Sequence, residues 1–299
     1  MTIGRLGYVR IGATDPAQWV GFCCDLLGME EVEASAEDAK AIKIDDHPFR
    51  YLVEPSDTDN LLATGWECDT KADWETAIAA LKAAGVDVGQ GDGAAASVRN
   101  VTDFVSAKDP AGNQLEIYYG RTNVGTAYTP QLGVSGFKTG DMGLGHIVLP
   151  APNQDETHAF YTSILGFRDT DDLSLPPPAE GAPDQRIRFM CANNPRHHSL
   201  ALYNFPVPSG CVHIMAEVNS LDEVGQALDR ITKAGVPLLA SLGRHENDEM
   251  VSFYAIGPGG IAFEYGYDGK VIDPATYQAT TSTLGDVWGH DYQMPGGEG

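Results

Sequence analysis

The sequence predicts an α+β fold made of two similar domains, and an internal repeat is the main observation behind this prediction. The segment LGYVRIGATDPAQWVGFCCDLLGMEEV, from Leu6, aligns without a gap with LGHIVLPAPNQDETHAFYTSILGFRDT, from Leu144. WETAIAALKAAGV resembles DEVGQALDRITKAGV, and DPAGNQLEIYYG resembles GPGGIAFEYGY further along the chain. A repeat of this length indicates two copies of one structural unit.

Within each copy, the pattern reads as a strand, a helix and further strands, and then the same order again. Apolar residues at helical spacing occur in AFYTSILGF and AIAALKAAGV, whereas CVHIMAEV and MVSFYAIG alternate as strands do. This order predicts four βαβββ modules, two per domain. We place the N-terminal domain at 1–125, a Gly- and Thr-rich linker at 126–140, the C-terminal domain at 141–280 and a tail at 281–299.

Composition excludes several classes of partner. The formal net charge of −23 would repel nucleic acid and anionic membranes. No apolar run approaches the roughly 20 residues of a membrane span, and the N-terminus lacks the apolar segment of a signal peptide. The 5 cysteines are odd in number and show no C-x-x-C spacing, so we interpret them as buried thiols. We therefore expect a cytoplasmic protein.

Comparison of the two copies indicates where a metal would bind. His146 aligns with Tyr8 of the first copy, and His213 aligns approximately with Ala63. Glu264, in contrast, aligns with another glutamate, Glu116. Two histidines and one carboxylate on separate strands can form the ligand set of a non-haem Fe(II) oxygenase. Any such site is predicted in the C-terminal copy, because only that copy has both histidines.

Several segments resemble a known enzyme family. The stretch GRHENDEMVSFYAIGPGGIAFE (243–264), together with GLGHIVL, NPRHHSLAL and VHIMAEV, is similar to the type I extradiol ring-cleavage dioxygenases of the vicinal oxygen chelate superfamily. The resemblance covers nearly the whole chain, including GWEC at Gly65 and the tail VWGHDY at Val287. One departure is Gly257, where the family usually has a polar residue or Ala. The resemblance implies that each domain forms a curved, barrel-like mixed sheet.

The same resemblance implies specific roles. The Fe(II) ligands would be His146, His213 and Glu264, with Mn(II) as a possible replacement for Fe(II) and O2 as co-substrate. The remaining site residues would be His198 as acid-base group, His245 and Tyr254 as hydrogen-bond partners of the catechol oxygens, and Asn247 and Asp248 as weaker candidates that support these groups. His47, His158 and His290 have no such context, and we expect them to be structural or solvated.

RHHSLAL (196–202) contains two adjacent histidines at the head of an alternating run. In a strand, neighbouring side chains point to opposite faces, so only one of the two can serve a site. The resemblance selects His198. We therefore expect His197 to face away.

The expected activity is extradiol cleavage of a catechol ring in aromatic degradation. The resemblance favours a bulky substrate such as 2,3-dihydroxybiphenyl or a secosteroid catechol, and a homo-oligomeric enzyme. Two alternatives from the same superfamily remain open: a metal-dependent isomerase or epimerase, and a drug-binding protein without catalysis.

Overall fold

The computed structural model describes residues 2–122 and 126–293. Two mixed sheets make up most of the fold, one in each half of the chain. No helix among the described residues is long and apolar enough to cross a membrane. The end that we proposed for the N-terminal domain, at residue 125, lies outside the described residues.

The N-terminal sheet has eight strands, in the spatial order β2-β3-β4-β1-β5-β8-β7-β6. Its strands are β1 (Arg5–Ala13), β2 (Glu30–Val32), β3 (Lys40–Lys43), β4 (Tyr51–Pro55), β5 (Asn60–Cys68), β6 (Gly89–Gln90), β7 (Val101–Lys108) and β8 (Gln114–Arg121). The helices of this half are α1 (Pro16–Val20), α2 (Lys71–Ala83) and α3 (Gly93–Arg99).

The C-terminal sheet has ten strands, in the order β17-β10-β11-β12-β9-β13-β16-β15-β14-β18. Its strands are β9 (His146–Pro150), β10 (Arg168–Leu175), β11 (Gln185–Cys191), β12 (Leu200–Tyr203), β13 (His213–Val218), β14 (Leu238–His245), β15 (Val251–Ile256), β16 (Ala262–Tyr267), β17 (Thr280–Ser282) and β18 (Asp286–Gly289). The helices are α4 (Gln154–Ala159) and α5 (Leu221–Lys233). The eight inner strands repeat the N-terminal order, which confirms the duplicated α+β fold, and β17 and β18 extend the sheet at its two edges.

The repeat extends to local backbone geometry. The first helix of each copy continues into a π-helical segment, at Gly21–Leu26 and at Phe160–Ile164. Each segment is followed by a glycine with a φ of 76°, Gly28 and Gly166 respectively. Glycine ends a helix in this left-handed conformation at little cost, because it has no Cβ. The aligned Leu-Gly pairs of the two copies therefore have the same structural role.

The two halves share one hydrophobic core. The ring of Trp66 packs edge-on against Phe167 with centroids 5.1 Å apart, and Phe22 packs against Phe263 at 6.0 Å. All four side chains are buried in one continuous cluster that draws residues from both sheets. The two halves of the chain are therefore joined by direct packing of apolar side chains.

Candidate metal centre

Three adjacent strands of the C-terminal sheet bring His146, His213 and Glu264 to one face. His146 on β9 and Glu264 on β16 both lie opposite Met215 of β13 in the strand register. His213 lies two residues before Met215 on the same strand, and residues i and i+2 of a strand share a face. The sheet topology therefore directs the three side chains toward one point.

The potential ligand atoms of these side chains lie close together. The Nε2 atom of His146 is 3.0 Å from Nε2 of His213 and 2.9 Å from Oε2 of Glu264. The distance from Nε2 of His213 to the same Oε2 atom is 3.3 Å. His146 and Glu264 are buried, and His213 is only partly exposed.

This geometry fits a divalent transition metal. If metal–ligand bonds are about 2.1 Å and meet at right angles, neighbouring ligand atoms are roughly 3 Å apart. The three separations above are close to that value. The Oε2 atom of Glu264 is buried and has no hydrogen bond of normal geometry among the described residues. Burial lowers the pKa of both His146 and His213, which favours the neutral imidazole that metals require.

The second oxygen of Glu264 is held by neighbouring side chains. The Ser252 hydroxyl donates to Oε1 of Glu264 at 2.7 Å, and Nε2 of His245 lies 3.4 Å from the same atom. Ser252 is on β15, which pairs with β16. These contacts orient the carboxylate so that Oε2 points at the two histidines, which is the usual function of polar groups around metal ligands.

His198 lies directly beside the three candidate ligands. Its ring is buried and stacks on the ring of His146, with centroids 4.0 Å apart, and the ring of Phe189 packs edge-on against it at 4.8 Å. Burial, with the neighbouring His146, lowers the pKa of His198 well below its usual value. His198 is thus a neutral imidazole next to the position that a metal would occupy.

The strand assignment for the two adjacent histidines is wrong, because β12 begins only at Leu200. His197 is also buried and contacts its neighbour, with 3.1 Å between the two Nδ1 atoms. The Nε2 atom of His197 lies 3.3 Å from the hydroxyl of Tyr277. A turn rather than strand alternation therefore directs His198 toward His146 and leaves His197 behind it.

His245 and Tyr254 lie side by side on neighbouring strands. Nε2 of His245 is 2.6 Å from the Tyr254 hydroxyl, and its Nδ1 is 2.8 Å from Oδ1 of Asp286. Burial lowers the pKa of His245, but hydrogen bonds with Asp286 and Glu264 outweigh this effect and raise it well above its usual value. Both side chains can therefore offer a proton to an oxygen bound near Glu264.

Asn247 and Asp248 differ in their positions. Asp248 is buried, and its Oδ2 lies 3.9 Å from Nδ1 of His198. The Asn247 side chain instead accepts a hydrogen bond from the backbone N–H of Asp248 at 2.8 Å. The structure thus brings Asp248 to the site, whereas Asn247 shapes the turn that carries it.

Two residues of the tail complete this cluster, and sequence reasoning missed them. His290 is buried, with its ring 4.2 Å from that of His245, and its Nδ1 lies 2.5 Å from Oδ1 of Asp286. Asp286 therefore binds two histidines at once. The resemblance of VWGHDY to the family was the available signal, but only the pairing of β14 with β18 shows why the tail matters.

The equivalent face of the N-terminal sheet has a different composition. In its register, Tyr8 lies opposite Gly65, and Gly65 lies opposite Glu116. Met215 thus corresponds to Gly65, and His213 to Ala63, as the sequence alignment predicts.

Glu116 contacts the Tyr8 hydroxyl at 2.7 Å and the guanidinium groups of Arg10 and Arg99 at 2.7 and 2.6 Å. Cationic side chains take the place here that a metal would take in the other half.

Family models match both halves of the chain. Residues 143–265 match the Glyoxalase/Bleomycin resistance protein/Dioxygenase superfamily, and residues 6–55 match the first domain of the dihydroxybiphenyl dioxygenase BphC. A solved structure of BphC, a halotolerant catechol dioxygenase, superposes with a TM-score of 0.90 at 31% identity, covering 98% of this chain and 96% of that one.

Full-length relatives agree with these matches. The chain is 39% identical to an iron-dependent extradiol dioxygenase of Rhodococcus jostii (strain RHA1), covering 98% of this chain and 99% of the relative. It is 37% identical to a biphenyl-2,3-diol 1,2-dioxygenase of Paraburkholderia xenovorans (strain LB400), covering 97% and 96% respectively. The chain therefore belongs to the extradiol dioxygenases of the glyoxalase/bleomycin resistance protein/dioxygenase superfamily.

Proposed function

We propose that the protein is an Fe(II)-dependent extradiol dioxygenase that uses O2 to open a catechol ring beside its diol. The observation that carries this proposal is the convergence of Nε2 of His146, Nε2 of His213 and Oε2 of Glu264 within 2.9 to 3.3 Å of one another. Two histidines and one carboxylate on one side of a metal leave positions for substrate and O2.

We propose these three residues as the iron ligands. Fe(II), when bound, supplies a Lewis acid that lowers the pKa of a catechol hydroxyl and a centre at which O2 can react. Mn(II) would fit the same nitrogen and oxygen donors. Glu264 contributes the single negative charge of the ligand set, and the hydroxyl of Ser252 keeps its other oxygen occupied.

His245 and Tyr254 are proposed to bind the catechol oxygens. The 2.6 Å contact between them shows that both polar atoms face the same small volume, next to Glu264. A tyrosine hydroxyl can donate to a catecholate oxygen without adding charge. The two side chains would thus orient the ring and stabilise its deprotonated form.

His198 is proposed as the acid-base group of the reaction. Its ring lies against that of His146, one of the proposed ligands, so His198 would lie beside a substrate bound to the metal. A neutral imidazole can accept the proton that the catechol loses and return it as the ring opens. His197 and Asp248 surround its Nδ1 atom, at 3.1 and 3.9 Å.

Oxygen uptake tests this proposal. Iron-loaded protein would be mixed with a panel of catechols, namely catechol, 3-methylcatechol, 2,3-dihydroxybiphenyl, 1,2-dihydroxynaphthalene and a secosteroid catechol. We propose a bulky substrate and expect the highest kcat/KM with a two-ring or steroid compound, measured by the visible absorbance of the ring-opened product. Metal binding without O2 uptake for any catechol would contradict the proposal and favour an isomerase, an epimerase or a drug-binding protein.

We also propose that the protein is a homo-oligomer. Four large apolar side chains of the tail are exposed: Leu284 and Val287 (62% each), Trp288 (48%) and Tyr292 (50%). They lie on or beside β18, an edge strand, and an exposed apolar edge favours association. Light scattering after gel filtration should show an oligomer. The double variant with Leu284→Glu and Val287→Glu should disrupt it. A monomeric wild-type protein at micromolar concentration would refute this.

A cytoplasmic location is proposed as well. All five cysteines are free, as is usual in a reducing compartment. Fractionation of source cells with antibody detection would test it, and recovery of the protein outside the cytoplasmic fraction would contradict it.

A further inference from the structure

The N-terminal half contains a cavity that the dioxygenase reaction does not use. Its volume is about 310 Å³, and its wall includes Ala41, Lys43, Phe49, Leu52 and Val98. Ala41 and Leu52 are paired across β3 and β4, and both belong to the buried cluster that contains Tyr8. The cavity therefore lies on the same face of the N-terminal sheet as Tyr8, and its lining contains no residue of the C-terminal sheet.

Lys43 is the unusual member of this wall. Its side chain shares a face of β3 with Ala41, two residues earlier, and only 1% of the residue is exposed. The ammonium group donates to the backbone carbonyl of Thr126, and the hydroxyl of Thr126 lies 3.4 Å away. Among the described residues, no carboxylate lies within 4 Å of Nζ of Lys43.

The other buried cations of the described chain all have carboxylate partners. These ion pairs are Arg50 with Asp45, Arg99 with Glu116, and Arg196 with Glu217. A buried charge without an opposite charge is costly, and proteins usually provide a partner for it. Lys43 departs from this pattern at the wall of an open cavity, which indicates that an anion from outside the chain is its partner.

The remaining lining residues indicate the chemical character of the rest of that anion. Phe49 and Leu52 are buried apolar side chains, and Val32 and Val98 add further apolar surface. A volume near 300 Å³ is typical of small-molecule sites. Exposed Glu33 also contributes to the lining, and its carboxylate disfavours a ligand with a second negative charge.

We propose that this cavity binds a small aromatic monocarboxylate, whose carboxylate pairs with Lys43 and whose ring packs against Phe49 and Leu52. The site is separate from the metal centre and does not depend on the proposed reaction. It gives the N-terminal half a ligand-binding role of its own.

Calorimetric titration of the iron-loaded protein with 1-naphthoate tests the proposal, with the neutral 1-naphthamide as a probe of the same shape. We expect 1-naphthoate to bind, and 1-naphthamide to bind at least about tenfold more weakly. Lys43→Met should also weaken 1-naphthoate binding at least tenfold. Lys40→Met is the matched control, because Lys40 lies on the same strand but pairs with Glu31 at 2.9 Å near the surface, and this variant should bind as the wild type does.

A second variant tests whether binding takes place in the cavity without removing the charge of Lys43. Ala41→Phe would fill the cavity while keeping Lys43, and it should abolish binding with unchanged iron content. The proposal is overturned if the wild type does not bind 1-naphthoate at millimolar concentration. Binding by Lys43→Met or by Ala41→Phe with wild-type affinity would also overturn it.

Discussion

At the residue scale, the two halves of the chain differ at the positions that face the same side of each sheet. Tyr8, Ala63 and Glu116 occupy the places of His146, His213 and Glu264. A Cβ atom at Gly65 would lie 2.4 Å from the ring of Tyr8, so glycine is required there to make room for the tyrosine. On the N-terminal face, arginine side chains therefore contact the carboxylate in the place where a metal would lie in the C-terminal half.

Removal of one proposed ligand should remove the iron. We expect His213→Ala to weaken iron binding by more than the roughly 10 to 100-fold that loss of a supporting residue causes, because only two ligands would remain. The same holds for His146→Ala and Glu264→Ala. Iron per folded monomer, measured by atomic emission, checks this, and Glu116→Ala is the control that should keep its iron. Full occupancy in His213→Ala would refute the ligand assignment.

The adjacent histidines should differ in their effects on turnover. His198→Gln should lower kcat about 10² to 10⁴-fold while iron and catechol binding persist, because general acid-base help has this magnitude. His197→Gln should lose much less, since His197 contacts His198 rather than His146 and an amide can replace its hydrogen bond. Single-turnover ring cleavage at saturating O2 would compare the two. A normal His198→Gln enzyme would mean that another group moves the proton.

At the scale of secondary-structure elements, short-range patterns predicted most of the fold. The alternating runs MVSFYAIG and CVHIMAEV form β15 and β13, and AIAALKAAGV lies in and just after α2. The prediction failed at RHHSLAL, where alternation in sequence continues into a turn before β12. Periodicity reports which side chains are apolar, but it does not show where the backbone leaves the sheet.

The tail strand β18 also escaped prediction, because its role depends on contacts far along the chain. Asp286 at its start contacts both His245 and His290. We expect Asp286→Asn to lower kcat/KM about 10 to 100-fold, the usual cost of losing a residue that orients a functional histidine. Asp291→Asn, at an exposed position of the same tail, is the control. Steady-state kinetics with equal iron content would check this, and equal activity of the two variants would contradict it.

At the scale of the whole molecule, the two copies of the fold share one core but differ in the polar groups that they carry. Trp66 and Phe167 belong to different halves yet pack in one core, so the two sheets support each other. The N-terminal sheet has the ion pairs of Glu116 with Arg10 and Arg99 where the C-terminal sheet has the proposed metal site. The repeat and the family resemblance together predicted this arrangement. The contacts of Arg10 and Arg99 with Glu116 could be recognised only in the three-dimensional structure.

This difference predicts a pH-dependent stability effect at Glu116. Burial raises the pKa of Glu116, but Arg99 and Arg10 outweigh this effect and lower it below its usual value. A carboxylate with a lowered folded-state pKa stabilises the protein above its unfolded pKa of about 4.3, and this stabilisation is lost as the pH falls through the folded value. Glu116→Gln should therefore cost about 3 to 5 kcal/mol at pH 7, since it leaves the buried Arg99 without a carboxylate partner.

Thermal unfolding at several pH values would measure this effect. The difference in Tm between the wild type and Glu116→Gln should be large at pH 7 and shrink below about pH 4, as the wild-type carboxylate becomes protonated. Lys71→Gln, which removes an exposed ion pair with Glu75, should cost little. A Tm difference that does not change with pH would contradict the account of Glu116.

Anomalous X-ray diffraction from iron-loaded crystals tests the central claim most directly, because it locates the metal independently of activity. Within residues 2–122 and 126–293, three groups of side chains are close enough to bind a metal: His146, His213 and Glu264; His146, His198 and Asp248; and His245, Asp286 and His290. We predict one strong iron peak per chain, between His146, His213 and Glu264, with no peak near Glu116. A principal peak at either of the other groups, or in the N-terminal half, would contradict the account.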